Sequence, residues 1–367
     1  MNIIILITFI IVSIILFLYL RDFNKELNNK YERIINVNSE IYKKLQNLEN
    51  TIKYNYISLA SLNHNNALNE DFNENLRQKY LENQHHFCQS DDLFVDPEIE
   101  NKIKKVNAHL NNISFSMYVY KSTDYVSGSI SGLGIWERDQ VNKVIKCLNY
   151  YSEKKNLNKN QITVLDIGSN IGSYSFYLAN IGYEVFSFEV SHINSYILKK
   201  NFCLNENINI TIINKGMGIE EEKCLLHHPA GNIGNAVVLC GENINIARKN
   251  ENLTEEVEFT KLSNYFTYFS KKNIALIKLD VEGSEGKVIT SGIEFIVDYH
   301  VPFLFVEFRN DYLKLQGTEP KEFLELFEQN GYLFNTVDFF SKKYLSIEEL
   351  LKIRSTDLYI VYKKFLE

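Results

Sequence analysis

The sequence has few cysteines, prolines and tryptophans and no excess of positive charge. Its 367 residues include five cysteines, four prolines and one tryptophan, and the formal net charge is -7. The acidic balance excludes a generally basic surface of the kind that binds nucleic acid. We attribute the low proline and tryptophan counts to the encoding genome, so they exclude no function.

The cysteines are widely spaced, and none belongs to a C-x-x-C pair. An odd number of scattered cysteines is typical of reduced thiols in a reducing compartment and argues against a disulfide framework. His85, His86 and Cys88 lie close together, but no further group has the spacing of a zinc site. We therefore predict no disulfide and no metal-ligand set.

One long apolar run is present, at Ile3–Leu20. At a rise of about 1.5 Å per residue it would reach about 27 Å, close to the thickness of a hydrocarbon core. A signal peptide would need basic residues before the run and a small-residue cleavage site after it, and both are absent. We therefore predict a membrane anchor over residues 1–22. Arg21 and Lys25 follow the run, so we expect a single-pass membrane protein with a cytosolic catalytic domain.

A heptad pattern follows the predicted anchor. Apolar or seam residues recur between Leu27 and Ile52 at alternating spacings of four and three, with Asn38 at one seam position. Such a pattern predicts a coiled-coil stalk over residues 23–62 that forms a homodimer. The alternative is one amphipathic helix that packs on its own domain. Residues 63–112 are polar, and we interpret them as a linker or arm.

From about residue 113 to the end at residue 367, apolar strands alternate with helical stretches, which indicates an α/β layered domain. The glycine-rich stretch 127–134 precedes a helical pattern and is interpreted as a mobile lid, or else as an ordinary loop. Five parallel strands with crossover helices and an antiparallel end pair would form a doubly wound sheet. The predicted strands are Thr163–Asp166, Tyr183–Glu189, Asn209–Asn214, Ile274–Asp280, Pro302–Glu307, Tyr332–Val337 and Asp357–Tyr362.

The turn after the first of these strands indicates the cofactor. A dinucleotide site needs G-x-G-x-x-G, but here Asn170 stands between Gly168 and Gly172 where the second glycine is required. Asp166 precedes the turn and would repel a pyrophosphate, whereas it suits a cationic ligand. Glu189, at the end of the next strand, is placed to accept ribose hydroxyls. S-adenosylmethionine, which is cationic and carries no phosphate, satisfies these conditions.

These residues resemble the FkbM family of class I S-adenosylmethionine-dependent methyltransferases. The resemblance rests on Leu165–Gly172, Phe188-Glu189, Lys278–Glu285 and Val306-Glu307, and it covers roughly residues 113–367. One departure is Val190, where the family more often has proline. The resemblance implies a Rossmann-like sheet with an antiparallel final strand. It also implies methyl transfer to a hydroxyl of a sugar, glycan or other small molecule.

Each motif residue then receives an expected role. Gly168, Ser169, Asn170 and Gly172 would hold the methionine moiety, and Asp166 would contact it or order the turn. Glu189 would bind the ribose, and Met217, in the turn Gly216–Gly218, would pack on the adenine. Asp280 is the first candidate for the base or acceptor-orienting group, and Glu282 is the second. Lys278 is placed to keep Asp280 ionised, and Glu307 lies at the end of a further strand.

Four alternatives remain open. In the first three, the chain would be a non-catalytic methyltransferase-fold scaffold on a dimeric stalk, a nicotinamide-dependent oxidoreductase, or an RNA 2′-O-methyltransferase. The oxidoreductase is disfavoured by Asn170, and the RNA enzyme by the acidic balance. In the fourth alternative, several of the carboxylates hold a divalent metal that ionises the acceptor.

Overall fold

Strands alternate with helices through most of the computed structural model, which describes residues 68–89, 97–121, 124–227, 237–240 and 254–367. The strands are, in chain order, β1 (Ile103–Leu110), β2 (Ile113–Tyr120), β3 (Ile162–Ile167), β4 (Glu184–Phe188), β5 (Ile210–Ile213), β6 (Gly216–Met217), β7 (Glu222–His227), β8 (Val237–Leu239), β9 (Thr254–Thr260), β10 (Asn273–Leu279), β11 (Phe303–Arg309), β12 (Tyr332–Asn335) and β13 (Ser355–Tyr362). The α-helices are α1 (Leu68–Gln89), α2 (Pro97–Glu100), α3 (Tyr125–Leu133), α4 (Arg138–Lys155), α5 (Ser173–Ile181), α6 (His192–Cys203), α7 (Glu285–Asp298), α8 (Asn310–Leu315), α9 (Pro320–Gln329), α10 (Ile347–Leu350) and α11 (Lys363–Leu366).

The central sheet has seven strands in the order β12-β13-β11-β10-β3-β4-β5. β5, β4, β3, β10 and β11 are parallel, whereas β13 is antiparallel to both β11 and β12. This arrangement confirms the predicted α/β sheet with antiparallel strands at one end. The carboxyl ends of β3, β4, β10 and β11 meet at one edge, where doubly wound sheets bind their ligands.

Helices cover both faces of this sheet. Every residue of β3 is buried, as expected for a central parallel strand that is covered on both sides. Since successive side chains point to opposite faces, Val164 belongs to one hydrophobic cluster and Leu165 to the other. The core therefore fixes β3 on both sides and presents the turn that follows it at the sheet edge.

The predicted linker over residues 63–112 is wrong where the structure describes it. It contains α1 and β1, and β1 pairs with β2 in an antiparallel hairpin in which Ile103 faces Tyr120. The Gln84 side chain, on α1, is buried; it accepts from the N–H of Ile212 at 2.8 Å and donates to the carbonyl of Ile210 at 3.2 Å. Its amide thus satisfies backbone groups of the edge strand β5. A polar composition does not reveal such a role.

The expectation of reduced thiols is also wrong. Cys88 of α1 is bonded to Cys203 of α6, and Cys224 is bonded to Cys240 beside the β7–β8 pair. Cys147 is a free thiol and is buried. The partners are separated by 115 and 16 residues, so sequence spacing gave no sign of the pairing.

The predicted localisation must be corrected. In the described ranges, no helix combines the length and the apolar character that crossing a bilayer requires. The prediction of a single-pass membrane protein with a cytosolic catalytic domain is therefore withdrawn. The segments on which the anchor and dimeric stalk were predicted, residues 3–20 and 27–52, lie outside the described residues.

The glycine-rich stretch 127–134 is a helix and not a loop. Asp124 caps α3, because its Oδ2 accepts from the N–H of Ser127 at 2.8 Å, and the helix ends at Gly134 with a φ of +77°.

A second sheet, in the order β6-β9-β7-β8, was not predicted from the sequence. It places Met217 in β6, paired with Thr260 of β9.

Candidate cofactor and acceptor site

The turn between β3 and α5 brings two strand ends into contact. Gly168 has a φ of +79°, and a Cβ at this position would lie 1.8 Å from the carbonyl oxygen of Asp280. The N–H of Gly168 donates to the carbonyl of Phe188 at 3.0 Å. Glycine alone among the residue types accommodates both the left-handed backbone and this close approach. The turn therefore joins the ends of β3, β4 and β10.

Asn170 and Glu189 are coupled directly. The N–H of Asn170 donates to Oε2 of Glu189 at 2.7 Å, and Asn170 itself has a φ of +52°. The N–H of Ser191 donates to the other carboxylate oxygen at 2.8 Å. Oε1 also accepts from the Asn194 amide at 3.5 Å, so the second lone pair of Oε2 is the one left for a ligand hydroxyl. The backbone thus fixes the acid that was predicted to bind ribose.

Burial changes the titration of this acid. It raises the pKa of Glu189 from 4.5 to about 7, although the backbone donors at Ser191 and Asn170 and the amide of Asn194 lower it in part. Asn194 is held in turn, since its Oδ1 accepts from the Tyr120 hydroxyl at 2.6 Å. The carboxylate therefore changes charge near neutral pH.

A cleft opens between this turn and the second sheet, with about 740 Å³ of empty space including its mouth. Its lining includes the apolar side chains of Met217, Leu226 and Phe259 and the acids Asp280 and Glu282. The cleft therefore offers both apolar surface and negative charge to a ligand.

Asp166 lies beneath the turn and does not line the cleft. Its side chain is buried; its Oδ2 accepts from the Ser175 hydroxyl at 2.6 Å, and its Oδ1 lies 3.5 Å from the Lys278 ammonium. Ser169 and Gly172 also lie outside the cleft lining. These three residues order the turn, whereas Gly168, Asn170, Glu189, Met217, Asp280 and Glu282 face the cleft.

Lys278 is a buried cation at the centre of the edge. Its ammonium donates to the carbonyl of Gly168 at 3.3 Å and to Oδ2 of Asp280 at 3.4 Å. Burial lowers the pKa of Lys278, whereas the neighbouring carboxylates of Asp280 and Asp166 raise it. The effect of the carboxylates is larger, so the pKa of Lys278 lies above its ordinary value. Lys278 is therefore charged and pairs with both Asp166 and Asp280.

Two acids beside Asp280 are poised to hold a proton. Burial, followed by the charge of Asp280, raises the pKa of Glu282 to about 8 and that of Glu307 to about 7. Arg309 opposes the shift of both groups. Like charges at close range disfavour simultaneous ionisation. Glu282 also has a φ of +54°, a backbone strain of the kind found at functional sites.

Glu285 begins α7 and is almost fully buried, at 1% exposure. Its Oε1 accepts from the N–H of Val281 at 2.8 Å, and burial raises its pKa to about 8. Among the described groups, its Oε2 has no hydrogen-bond partner. Its carboxylate lies beside those of Asp280 and Glu307.

Glu137 was missed by sequence reasoning. It precedes α4 with a φ of +50°, and its Oε2 accepts from the Tyr174 hydroxyl at 2.7 Å. Burial raises its pKa, while the hydrogen bond from Tyr174 and the charge of Lys278 lower it. Asp357 of β13 also faces this group and accepts from Gln140 at 3.1 Å. Both acids come from segments far from the motifs, which explains why no local pattern pointed to them.

The described residues fit the predicted cofactor. Glu189 is a buried acceptor with a free lone pair on Oε2, and the cleft lining includes the apolar Met217 and the acids Asp280 and Glu282, which suit a sulfonium.

Comparison with known proteins identifies the domain. Residues 166–334 match the family described as the Methyltransferase FkbM domain. This match confirms the resemblance inferred from the motifs, and with it the expectation of S-adenosylmethionine as cofactor. No curated protein matches the chain.

Several solved structures also match, all with low identity. A precorrin-6y C5,15-methyltransferase from Geobacter metallireducens is 10% identical, with a TM-score of 0.32; the match covers 62% of this chain and 91% of that one. The magnesium protoporphyrin IX methyltransferase ChlM from Synechocystis with bound SAM is 13% identical, with a TM-score of 0.34, over 67% of this chain and 87% of that one. The bifunctional kinase-methyltransferase WbdD is 12% identical, with a TM-score of 0.34, over 61% of this chain and only 39% of that one.

Proposed function

We propose that this chain, whose residues 166–334 form a methyltransferase FkbM domain, transfers a methyl group from S-adenosylmethionine to a hydroxyl oxygen. The acceptor class is a sugar, a glycan or another hydroxyl-bearing small molecule. One observation carries the proposal: Asp280 lines the cofactor cleft and also belongs to the acidic group at the sheet edge. The two halves of a methyl transfer, donor and acceptor, would therefore meet at this side chain.

The cofactor would lie across the turn, with its ribose hydroxyls on Glu189. The adenine would pack against the apolar side chains of Met217 and Phe259 in the cleft lining. The amino acid portion would follow the backbone of Gly168 and Asn170, which face the cleft. When bound, the cofactor supplies an electrophilic methyl group on a sulfonium. The sulfonium end would then point toward Asp280 and Glu282.

The protein's own groups would align the acceptor and take its proton. Asp280, paired with Lys278 at 3.4 Å, would accept a hydrogen bond from the acceptor hydroxyl and orient its oxygen. A free carboxylate is a weak base for an alcohol, but the raised pKa of Glu282, about 8, makes that neighbour a better proton acceptor once it is ionised. Asp280 would thus orient the nucleophile, and Glu282 would help to remove the proton.

Calorimetric titration of the chain tests the cofactor. We expect S-adenosylmethionine and S-adenosylhomocysteine to bind with one site per chain and NAD to show no heat of binding. Tight binding of NAD, or no binding of the other two, would overturn the assignment. Retained cofactor binding without turnover on any hydroxyl acceptor would instead favour the non-catalytic scaffold.

A further inference from the structure

Three carboxylates from three separate elements converge beside the cofactor cleft. Asp280 follows β10, Glu285 begins α7 and Glu307 belongs to β11, and one oxygen from each lies within 4.8 Å of the others. We propose that this carboxylate triad binds one divalent cation that prefers oxygen ligands, such as Mg²⁺ or Mn²⁺. The sequence left open that several of the carboxylates at this edge hold a divalent metal, and the structure brings these three together.

The spacing of the triad suits a single ion. Ca²⁺ binds oxygens at about 2.3–2.6 Å, so two oxygens on one Ca²⁺ are at most about 5.2 Å apart, whereas Mg²⁺, at about 2.0–2.1 Å, allows about 4.2 Å. The 4.8 Å limit of the triad falls within the reach of Ca²⁺, and a Mg²⁺ ion would draw the oxygens closer by up to about 0.6 Å. Since the ligands are all carboxylates, hard cations are favoured over softer ions that prefer sulfur or imidazole.

A second observation points to a ligand at Glu285. Its side chain is buried at 1% exposure, and its Oε1 is occupied by the N–H of Val281. In the described structure, Oε2 has no donor within hydrogen-bond distance. A buried carboxylate oxygen without a partner is costly, and a bound cation would satisfy it.

The cations near the triad are largely committed to other groups. Lys278 lies 3.4 Å from Asp280 but also 3.5 Å from Asp166, so its single charge is shared between two acids. The Arg309 guanidinium stacks on the Tyr312 ring at 3.4 Å and lies 3.8 Å from Asp311. The triad therefore carries net negative charge once Glu285 and Glu307 are ionised, and a divalent ion would neutralise it.

The chemical role of the bound ion rests on the proposed function, methyl transfer to a hydroxyl. An acceptor hydroxyl bound to the ion would lose its proton more readily, and Glu282, which lines the cleft beside Asp280, would take that proton. The oxygen would form a bond to the methyl carbon as the bond from that carbon to sulfur breaks, with the electron pair going to sulfur. The products are the methyl ether, S-adenosylhomocysteine and one proton, and no electron is gained or lost.

Titration with Mn²⁺ followed by electron paramagnetic resonance tests the site on the full chain. We expect one bound Mn²⁺ per chain, and binding at least about tenfold weaker in Glu307→Gln and in Glu285→Gln. Glu328→Gln, at an exposed position of α9, is the matched control and should bind as the wild type does. Thermal melting establishes that each variant is folded. If Glu285→Gln does not fold, Glu307→Gln alone decides the outcome.

A wild-type chain that binds no Mn²⁺, or a site that survives Glu307→Gln unchanged, would overturn the proposal. The proposed function is tested separately in the same samples, and it would be overturned if S-adenosylhomocysteine did not bind. If methyl transfer proceeds at an unchanged rate in a chelator, the ion has no part in the reaction. Restoration of the chelated activity by Mg²⁺ would support the proposal.

Discussion

The Lys278 ammonium lies 3.4 Å from Oδ2 of Asp280, two residues along the same strand end. Because Lys278 also lies 3.5 Å from Asp166, one buried cation connects the acid beneath the cofactor turn to the acid at the proposed methyl position. The buried Asp166 and the cleft-lining Asp280 therefore share one counter-ion.

Replacing Lys278 tests this connection. We expect Lys278→Met to destabilise the domain by about 3–5 kcal/mol, because it leaves Asp166 as a buried charge without its counter-ion. Urea unfolding measures the change, and Lys314→Gln, at an exposed position, is the control. A loss below about 1 kcal/mol would show that Asp166 does not depend on Lys278.

The close approach at Gly168 gives a second prediction. In Gly168→Ala, the added methyl group would meet the carbonyl of Asp280 at 1.8 Å in a left-handed backbone, so the ends of β3 and β10 must separate. We expect a loss of more than about 1 kcal/mol in stability and no measurable binding of S-adenosylhomocysteine. Gly128→Ala is the matched control, since a Cβ there meets nothing within 4 Å. Wild-type affinity in Gly168→Ala would contradict the role of this turn.

The raised pKa of Glu189, about 7, predicts pH-dependent cofactor binding. The ionised carboxylate is the better acceptor for ribose hydroxyls, so binding should strengthen as pH rises. About one tenth of the groups are ionised at pH 6, so we expect about tenfold weaker binding of S-adenosylhomocysteine there than at pH 8. For folding, the sign is opposite: the stability contributed by neutral Glu189 is complete below pH 4.5 and is lost as pH rises through about 7.

Calorimetry at pH 6, 7 and 8 measures this dependence. Glu189→Gln removes the titrating group, so its affinity should be weaker at pH 8 and should no longer vary with pH. A wild-type affinity that is flat across this range would show that the cofactor does not rely on an ionised Glu189.

The two disulfides should contribute unequally to stability. The Cys88–Cys203 bond spans 115 residues and the Cys224–Cys240 bond spans 16. In the chain-entropy account, loops of these lengths correspond to about 4.7 and about 3 kcal/mol. We therefore expect Cys88→Ser with Cys203→Ser to lower the free energy of unfolding more than Cys224→Ser with Cys240→Ser does. Equal losses, or stability unchanged by a reducing agent, would contradict this ranking.

The sheet and the motif positions were predictable from the sequence because buried parallel strands read as apolar runs that end in acids. Asp166, Glu189 and Asp280 each follow such a run, and the structure places all three at one edge. Residues that reach the site from distant segments were not predictable. Glu137 approaches from before α4, and Asp357 approaches from the antiparallel β13.

The described part of residues 63–112 was misinterpreted for a related reason. Polar composition predicted a linker, but Gln84 uses its amide to bond with backbone groups of β5, and Cys88 is bonded to α6. Long-range partners of this kind leave no local periodicity. The helical stretch 127–134 was missed because its glycines suggested a loop, whereas Asp124 caps the helix and Gly134 ends it.

Transfer of an isotopically labelled methyl group is the most direct test of the central claim. With S-adenosylmethionine carrying ¹³C in its methyl group and a panel of sugars and other hydroxyl acceptors, magnetic resonance identifies the atom that receives the label. We predict a methoxy product from the wild-type chain and none from Asp280→Asn, which should still bind S-adenosylhomocysteine. A label attached to nitrogen or carbon, or undiminished turnover in Asp280→Asn, would contradict the account.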